Sequence, residues 1–288
     1  MRAPAVLRSG AKRALRSYGM ATAGSRDLPR FLIIGAKRGG TTSLYHYLRQ
    51  HPQVPPLFPA RQNIKGTYFF DLHHGRGERW YRSHFAARGR SRVPEEWVAG
   101  EASPYYLFHP RAAERAAASV PDAKIIVLLR DPVERAYSHF RERVRHGAEH
   151  LSFEEAIDQE PVRLEGEEAR LVRDDGYRSY AHQHLSYVAQ GRYAVPLGRW
   201  LDRFPREQIL LLLSERFYEE PLVILRRVQR FLGLAPRDPS ALPRLNYHPG
   251  APMSPATRAR LRELFAEGNE RLGELVDVDI GAWGVVPR

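Results

Sequence analysis

Phe31-Leu-Ile-Ile-Gly35-Ala-Lys37-Arg38-Gly39-Gly40-Thr41-Thr42-Ser43-Leu44 decides the fold. Its apolar start, its glycines and hydroxyl residues, and the helical pattern that follows (Leu44, Tyr47, Leu48) predict a strand, a tight turn and a helix N-terminus. Backbone N–H groups at such a start have no partner inside the helix, and with the helix dipole they make an anion site. The nucleotide-binding loop written GxxxxGK[ST] puts a lysine on the terminal phosphates and a Ser/Thr on magnesium. Here Gly35 and Gly40 keep the spacing, but Thr41 and Thr42 follow, and the basic side chains Lys37 and Arg38 stand at the front of the loop. The pattern suits a phosphate-like group better than a metal–triphosphate. A glycine-bent connection with a capping threonine is the plain alternative.

A second segment supports the phosphate reading. Lys124-Ile-Ile-Val-Leu-Leu129 is an apolar run suited to a central parallel strand buried on both faces. It runs into Arg130-Asp-Pro-Val-Glu-Arg135-Ala-Tyr-Ser138-His-Phe140. Pro132 fits a first helical turn, so Arg130 falls at the carboxyl end of the strand, where open α/β sheets take their ligands. The corresponding strand of a nucleotide triphosphatase ends in a magnesium-holding Asp. This one ends in Arg130, which can fork onto a phosphate while Ser138, two turns along, donates a second hydrogen bond. A salt bridge tethering the strand end is the alternative for Arg130.

On these two motifs, about ninety residues apart, the chain resembles the PAPS-dependent sulfotransferases, in particular bacterial members similar to heparan sulfate sulfotransferases. The likeness is carried by FLIIGAKRGGTTSL, KGTYFFD (Lys65 to Asp71), GEASPYYLFHP (Gly100 to Pro110) and KIIVLLRDPVERAYSHF. It continues more weakly through Gly191 to Phe217 and Arg226 to Leu234, and spans about residues 30–284. The resemblance implies an α/β, P-loop-like three-layer fold with a central parallel sheet flanked by helices. It also implies transfer of a sulfuryl group from 3′-phosphoadenosine 5′-phosphosulfate to an acceptor hydroxyl or amine on a carbohydrate, glycolipid or small metabolite. By position it puts Arg38, Gly39, Gly40, Thr41 and Thr42, with Ser43 beside them, on the 5′-phosphosulfate, and Arg130 and Ser138 on the 3′-phosphate. No metal is expected, because fixed N–H donors and cations can carry the charge that builds on the leaving group.

The chain departs from the family pattern at two places. The family lysine before the paired glycines is Arg38 here, with Lys37 one position earlier. Arginine stabilises charge but does not release a proton near neutral pH, so Lys37 is the candidate to replace it as an acid. The family's glutamate base, three residues before the first Phe of the FF pair, is Gly66. Glu101, at the end of a short strand expected over Trp97 to Gly100, is the leading substitute base, followed by Asp71 and His109. Each has a structural alternative: Glu101 as partner of a loop lysine or cap of the Ser103-Pro104 turn, Asp71 as a helix cap, His109 as a loop residue. Lys65 is retained and is expected on the sulfonate or an acidic acceptor, with a solvated loop charge as its alternative. Phe69 and Phe70 read as core. The candidate catalytic set is therefore Lys37, Arg38, Lys65 and Glu101.

With 288 residues, 43% of them hydrophobic, the chain can bury a full core at single-domain α/β size. Its lack of cysteine excludes disulfides and thiolate metal sites. A net charge of +12 attracts a polyanionic nucleotide together with an anionic glycan or lipid head group. The arginines are scattered and no recognition helix or aromatic RNA-binding stripe appears, so nucleic acid is not an expected partner. A P-loop kinase of nonstandard sequence and a basic nucleic-acid binder are the competing function classes. The histidine pairs His73-His74 and His182-x-His184 face different ways on a helix and lack a metal-site companion.

Two regions follow: a basic N-terminal arm over residues 1–29 and a sulfotransferase domain over 30–288. The arm reads as a disordered tail. A helix lying on an anionic membrane through residues 1–20 and an organellar transit peptide are its alternatives. No apolar stretch is long enough to span a bilayer, and a cytoplasmic location is expected, with membrane association as its alternative. Beyond the arm, strands over 31–35, 124–129 and 208–213 alternate with helices over 41–50, 111–119, 153–159, 221–232 and 261–275, and a short helix lies around Trp80 to Phe85. Residues 144–190 correspond to part of the family's acceptor cleft.

Overall fold

A computed structural model describes residues 14–60, 64–87, 97–246, 248 and 250–283 of the protein. Four strands, β1 (Phe31–Gly35), β2 (Gly100–Ala102), β3 (Lys124–Leu129) and β4 (Ile209–Leu213), form a parallel sheet in the order β2-β1-β3-β4. Every residue of β1, and every residue of β3 after Lys124, is buried. That is why both strands are written as unbroken apolar runs: each has a covered face on either side. Leu32, Ile34, Val127 and Leu211 face one core, and Ile33, Ile126, Leu128 and Leu212 face the other.

The helices around the sheet are α1 (residues 14–21), α2 (Thr41–Leu48), α3 (Gly77–Arg82), α4 (Ala112–Ser119), α5 (Pro132–Arg145) and α6 (Phe153–Leu164). They are followed by α7 (Glu167–Arg173), α8 (Tyr180–His184), α9 (Ala194–Leu201), α10 (Ser214–Glu219), α11 (Pro221–Phe231) and α12 (Pro255–Leu275). One face packs on α9, through Leu197 and Trp200, and on the rings of Phe69, Phe70, Tyr81 and Tyr106. The other packs on α2 and α11 through Leu44, Leu48, Leu225 and Val228. The result is the three-layer arrangement expected from the sequence. A satellite core joins α5, α6 and α12 through Val133, Phe153, Leu261 and Phe265.

Three expectations shift. The short strand near Trp97 starts at Gly100, so Glu101 lies inside β2 and pairs with Leu32. Phe69–His73 forms a π-helical turn ahead of the short helix, which begins at Gly77. The arm is described from residue 14 and differs from a disordered tail: residues 14–21 are helical, and Arg26 is buried. Arg26 donates to the Phe85 carbonyl and lies 4.3 Å over the Phe58 ring, and these contacts fasten the segment. Residues 1–13, which carry most of the surface-helix pattern, lie outside the described residues.

Candidate functional site

β1 and β3 are neighbours and end at the same edge of the sheet, so the loop after β1 and the start of α5 stand side by side. The Ala36 N–H donates to the Leu128 carbonyl at 2.7 Å. A Cβ at Gly39 would lie 2.5 Å from that same Leu128 oxygen, which makes glycine necessary where the loop hugs β3. Gly40 takes φ +96° at the N-cap of α2, and no side chain caps that helix. Its first-turn N–H groups are therefore available to an anion, and Thr41 and Thr42 line the cleft in front of them. Ser43 turns away: it is fully buried, and its Oγ accepts from the Leu245 N–H at 3.0 Å. The Ser43 hydroxyl is therefore not part of the phosphate site, and only its backbone N–H, in the first turn of α2, remains to serve an anion.

The cleft has a volume of about 520 Å³ and runs from the loop along α5 to Arg244, Leu245, Asn246, His248 and Gly250. Arg130 lines it from the end of β3, with Nη1 donating to the Arg38 carbonyl at 3.2 Å. Tyr193 donates to the Arg130 carbonyl at 2.9 Å and fixes the strand end. Arg38, at φ +71°, sends its guanidinium away from the loop. Its Nε donates to Ser138 Oγ at 3.0 Å, Nη1 to Glu142 Oε1 at 3.1 Å and Nη2 to the Asn246 carbonyl at 3.1 Å. Arg38 thus stands on the Ser138 side of the cleft, away from the α2 N-terminus. The cation at the α2 N-terminus is Lys65, whose Nζ donates to Thr42 Oγ1 at 2.7 Å. Lys37 is bound through Nζ to the Gln183 carbonyl at 3.2 Å.

Burial lowers Lys37 to about 7, with Glu142 opposing the shift, and lowers Lys65 to about 8, again against Glu142. Both ammonium groups can therefore release a proton near neutral pH, which an arginine cannot. Burial pushes the Glu142 carboxyl up, but Arg38, Lys37 and Arg143 outweigh it and hold the group below the usual glutamate value.

Glu101 is not in the cleft. It is fully buried and accepts from the Thr67 N–H at 2.5 Å, Tyr81 OH at 2.7 Å, Tyr106 OH at 3.0 Å, Ser103 Oγ at 3.0 Å and Thr67 Oγ1 at 2.9 Å. With its lone pairs spent on the turn that carries Thr67, it is a structural carboxylate, and the expectation of a base at Glu101 is corrected. Asp71 and His109 are also buried outside the cleft lining; Asp71 Oδ1 accepts from the Leu72 N–H at 2.6 Å, and His109 Nδ1 accepts from the Arg111 N–H at 3.3 Å. At Gly66 a Cβ would meet Ser103 Oγ at 2.4 Å and the Ala102 carbonyl at 2.5 Å, so this backbone takes no larger residue there.

The sulfotransferase domain family matches residues 28–245 of the chain. The chain belongs to that family. It is 35% identical to mouse heparan sulfate glucosamine 3-O-sulfotransferase 3A1 over 73% of its own length and 47% of that protein's. It is 26% identical to the membrane-associated sulfotransferase kil1 of Dictyostelium discoideum over 88% of its length and 66% of that protein's. The chain thus spans between about half and two thirds of the length of these two relatives. The crystal structure of a sulfotransferase from Alicyclobacillus acidocaldarius, 32% identical, superposes with a TM-score of 0.69 over 90% of this chain and 99% of that one.

Sequence reasoning missed Tyr68, Arg141, Glu142, Tyr218, Arg244 and Asn246, all in the cleft lining. Glu142 had a signal: it follows Ser138 by four residues and so shares its face of α5. Arg244 and Asn246 had none, since they lie on irregular backbone that only the fold brings across the cleft. Among the described residues, no three His, Cys, Asp or Glu side chains lie together as a metal site requires.

Proposed function

We propose that this sulfotransferase-family chain moves a sulfuryl group from 3′-phosphoadenosine 5′-phosphosulfate to a hydroxyl or amine of a carbohydrate-like acceptor. One observation carries this reading: the glycine loop and the Arg130–Ser138 motif line a single cleft, together with Lys37, Lys65, Arg141 and Arg244. A bisphosphate nucleotide is a ligand whose charge matches such a lining. The donor fits the residues present, because Gly39 and the uncapped start of α2 leave room and N–H groups for the 5′-phosphosulfate. Arg130, Ser138 and Arg38 suit the 3′-phosphate.

In this reading Thr41, Thr42 and the first turn of α2 hold the transferring group in line with the acceptor. Lys65, beside Thr42, stabilises the charge that builds on the bridging oxygen and can protonate it; Lys37 serves from the loop side. The kinase and nucleic-acid alternatives are not favoured: the strand before α5 ends in Arg130 where a kinase of this type needs a magnesium-holding carboxylate.

Calorimetric titration with 3′-phosphoadenosine 5′-phosphate tests the proposal, with ADP and magnesium–ATP as controls. Metal-independent binding that requires the 3′-phosphate is expected, weakened roughly 10- to 100-fold in Arg130→Ala. Tighter binding of magnesium–ATP, or no binding of either, would overturn it.

A further inference from the structure

We infer that Glu142 is the general base of this chain and that Arg38 is its latch, held shut until the donor nucleotide draws Arg38 away. The inference rests on the sulfuryl-transfer reading and deepens it. The family's base position is Gly66, where the backbone has no room for a side chain, and Glu101 is enclosed in its hydrogen-bond cage. Two carboxylates line the described cleft, Glu134 and Glu142. Glu134, in the first turn of α5, is already paired with Arg258 of α12. Glu142 lies two turns further along and lines the same cleft as Lys65, Lys37 and Tyr68, and its charge acts on all three.

The hydrogen bonding of Glu142 is incomplete. Oε1 takes the Arg38 guanidinium at 3.1 Å, while Oε2 is shielded, accepts no hydrogen bond and lies 3.4 Å from Arg143 Nη2. The same Arg38 also holds Ser138 Oγ and the Asn246 carbonyl. In this state Arg38 therefore engages both the hydroxyl suited to the 3′-phosphate and the carboxylate suited to the acceptor. A phosphate arriving at Ser138 offers Arg38 a doubly charged, bidentate partner and competes with Glu142 for it. Once released, Glu142 takes the proton from the acceptor O–H as the acceptor oxygen forms its bond to sulfur. The bond from sulfur to the 5′-phosphate oxygen breaks, its electron pair leaves with the nucleotide bisphosphate, and the proton later passes from Glu142 to water.

The test uses the full chain, with the donor and an N-acetylglucosamine–glucuronic acid hexasaccharide as the probe acceptor. Formation of the nucleotide bisphosphate is followed with and without the acceptor. Glu142→Gln is expected to lower kcat roughly 100-fold or more. It should at the same time bind 3′-phosphoadenosine 5′-phosphate at least as tightly as the wild type, because the competitor for Arg38 is gone. In Glu142→Ala, added formate should restore part of the turnover, which a merely structural residue would not permit. Wild-type turnover in Glu142→Gln, or low turnover with lost bisphosphate binding and no formate rescue, overturns the inference and leaves sulfuryl transfer standing. A wild-type chain that neither binds the bisphosphate nor turns the donor over removes the sulfuryl-transfer reading itself.

Discussion

Glu101 and Glu142 are both acidic side chains set among polar groups, yet their surroundings are opposite. Glu101 sits inside β2 with hydroxyls and an N–H from four residues closed around it and no lysine or arginine among them. Glu142 sits on the cleft wall, hydrogen-bonded by Arg38 through Oε1 and ion-paired to Arg143 through Oε2, an oxygen that accepts no hydrogen bond. A carboxylate with every lone pair satisfied holds a backbone in place, here the Thr67 turn that sets Lys65 against Thr42. A carboxylate with an oxygen that accepts no hydrogen bond keeps a lone pair for a reacting proton, even where cations hold it ionised. Asp71 stands between them: Oδ1 accepts from the Leu72 N–H, and Oδ2 has no hydrogen-bond partner.

The comparison breaks first at Glu101. Glu101→Ala strips the partners from Tyr81 OH, Tyr106 OH and the Thr67 N–H at once, and should cost about 3–5 kcal/mol, read from the urea midpoint at pH 7. A variant of near wild-type stability that had lost turnover outright would return Glu101 to the role of base. Asp71 sharpens the contrast by pH. Burial raises its carboxyl to about 8, opposed by the Leu72 N–H and assisted by the charge of Glu101. The folded chain thus keeps a proton that the unfolded chain releases above about pH 4, and stability falls as pH rises from about 4 to about 8. Asp71→Asn has no proton to lose, so its stability relative to wild type should improve between pH 5 and pH 7 by on the order of 2 kcal/mol. A parallel pH profile for the two proteins would show that Asp71 is ionised throughout.

Much of this was legible in the chain. The apolar runs of β1 and β3 marked buried parallel strands, and the glycines after β1 together with Pro132 after β3 marked the two turns that meet at the cleft. Local pattern sufficed there because each feature follows from backbone conformation over a few residues. Glu101 misled because its sequence neighbourhood, a short strand before Ser103-Pro104, carries no trace of the tyrosines from α3 and from the turn at Tyr106 that enclose it. Arg38 misled for a related reason: position in the loop implied contact with the phosphosulfate, whereas its positive φ directs the side chain to α5. Ser43 was spent on Leu245, a partner 202 residues away. Side-chain direction and long-range partners decide such roles, and neither is written locally.

The smallest expected effect on chemistry comes from restoring what the family carries at Gly66. If the site simply lacked its base, Gly66→Glu would raise turnover. The backbone argues otherwise, since a Cβ there would approach the Ala102 carbonyl to 2.5 Å and Ser103 Oγ to 2.4 Å, and the carbonyl cannot move without shifting β2. The Ala102 N–H also donates to the Lys65 carbonyl at 2.7 Å, so a displaced strand would carry Lys65 away from Thr42. Gly66→Glu should therefore lose about 1–3 kcal/mol of stability to overpacking and gain no turnover. The same substitution in a Glu142→Gln background sharpens the point: turnover stays low if the proton is taken only from the α5 side of the cleft. Recovery in that double variant would mean that the backbone at residue 66 yields, and that the cleft accepts a base from either wall.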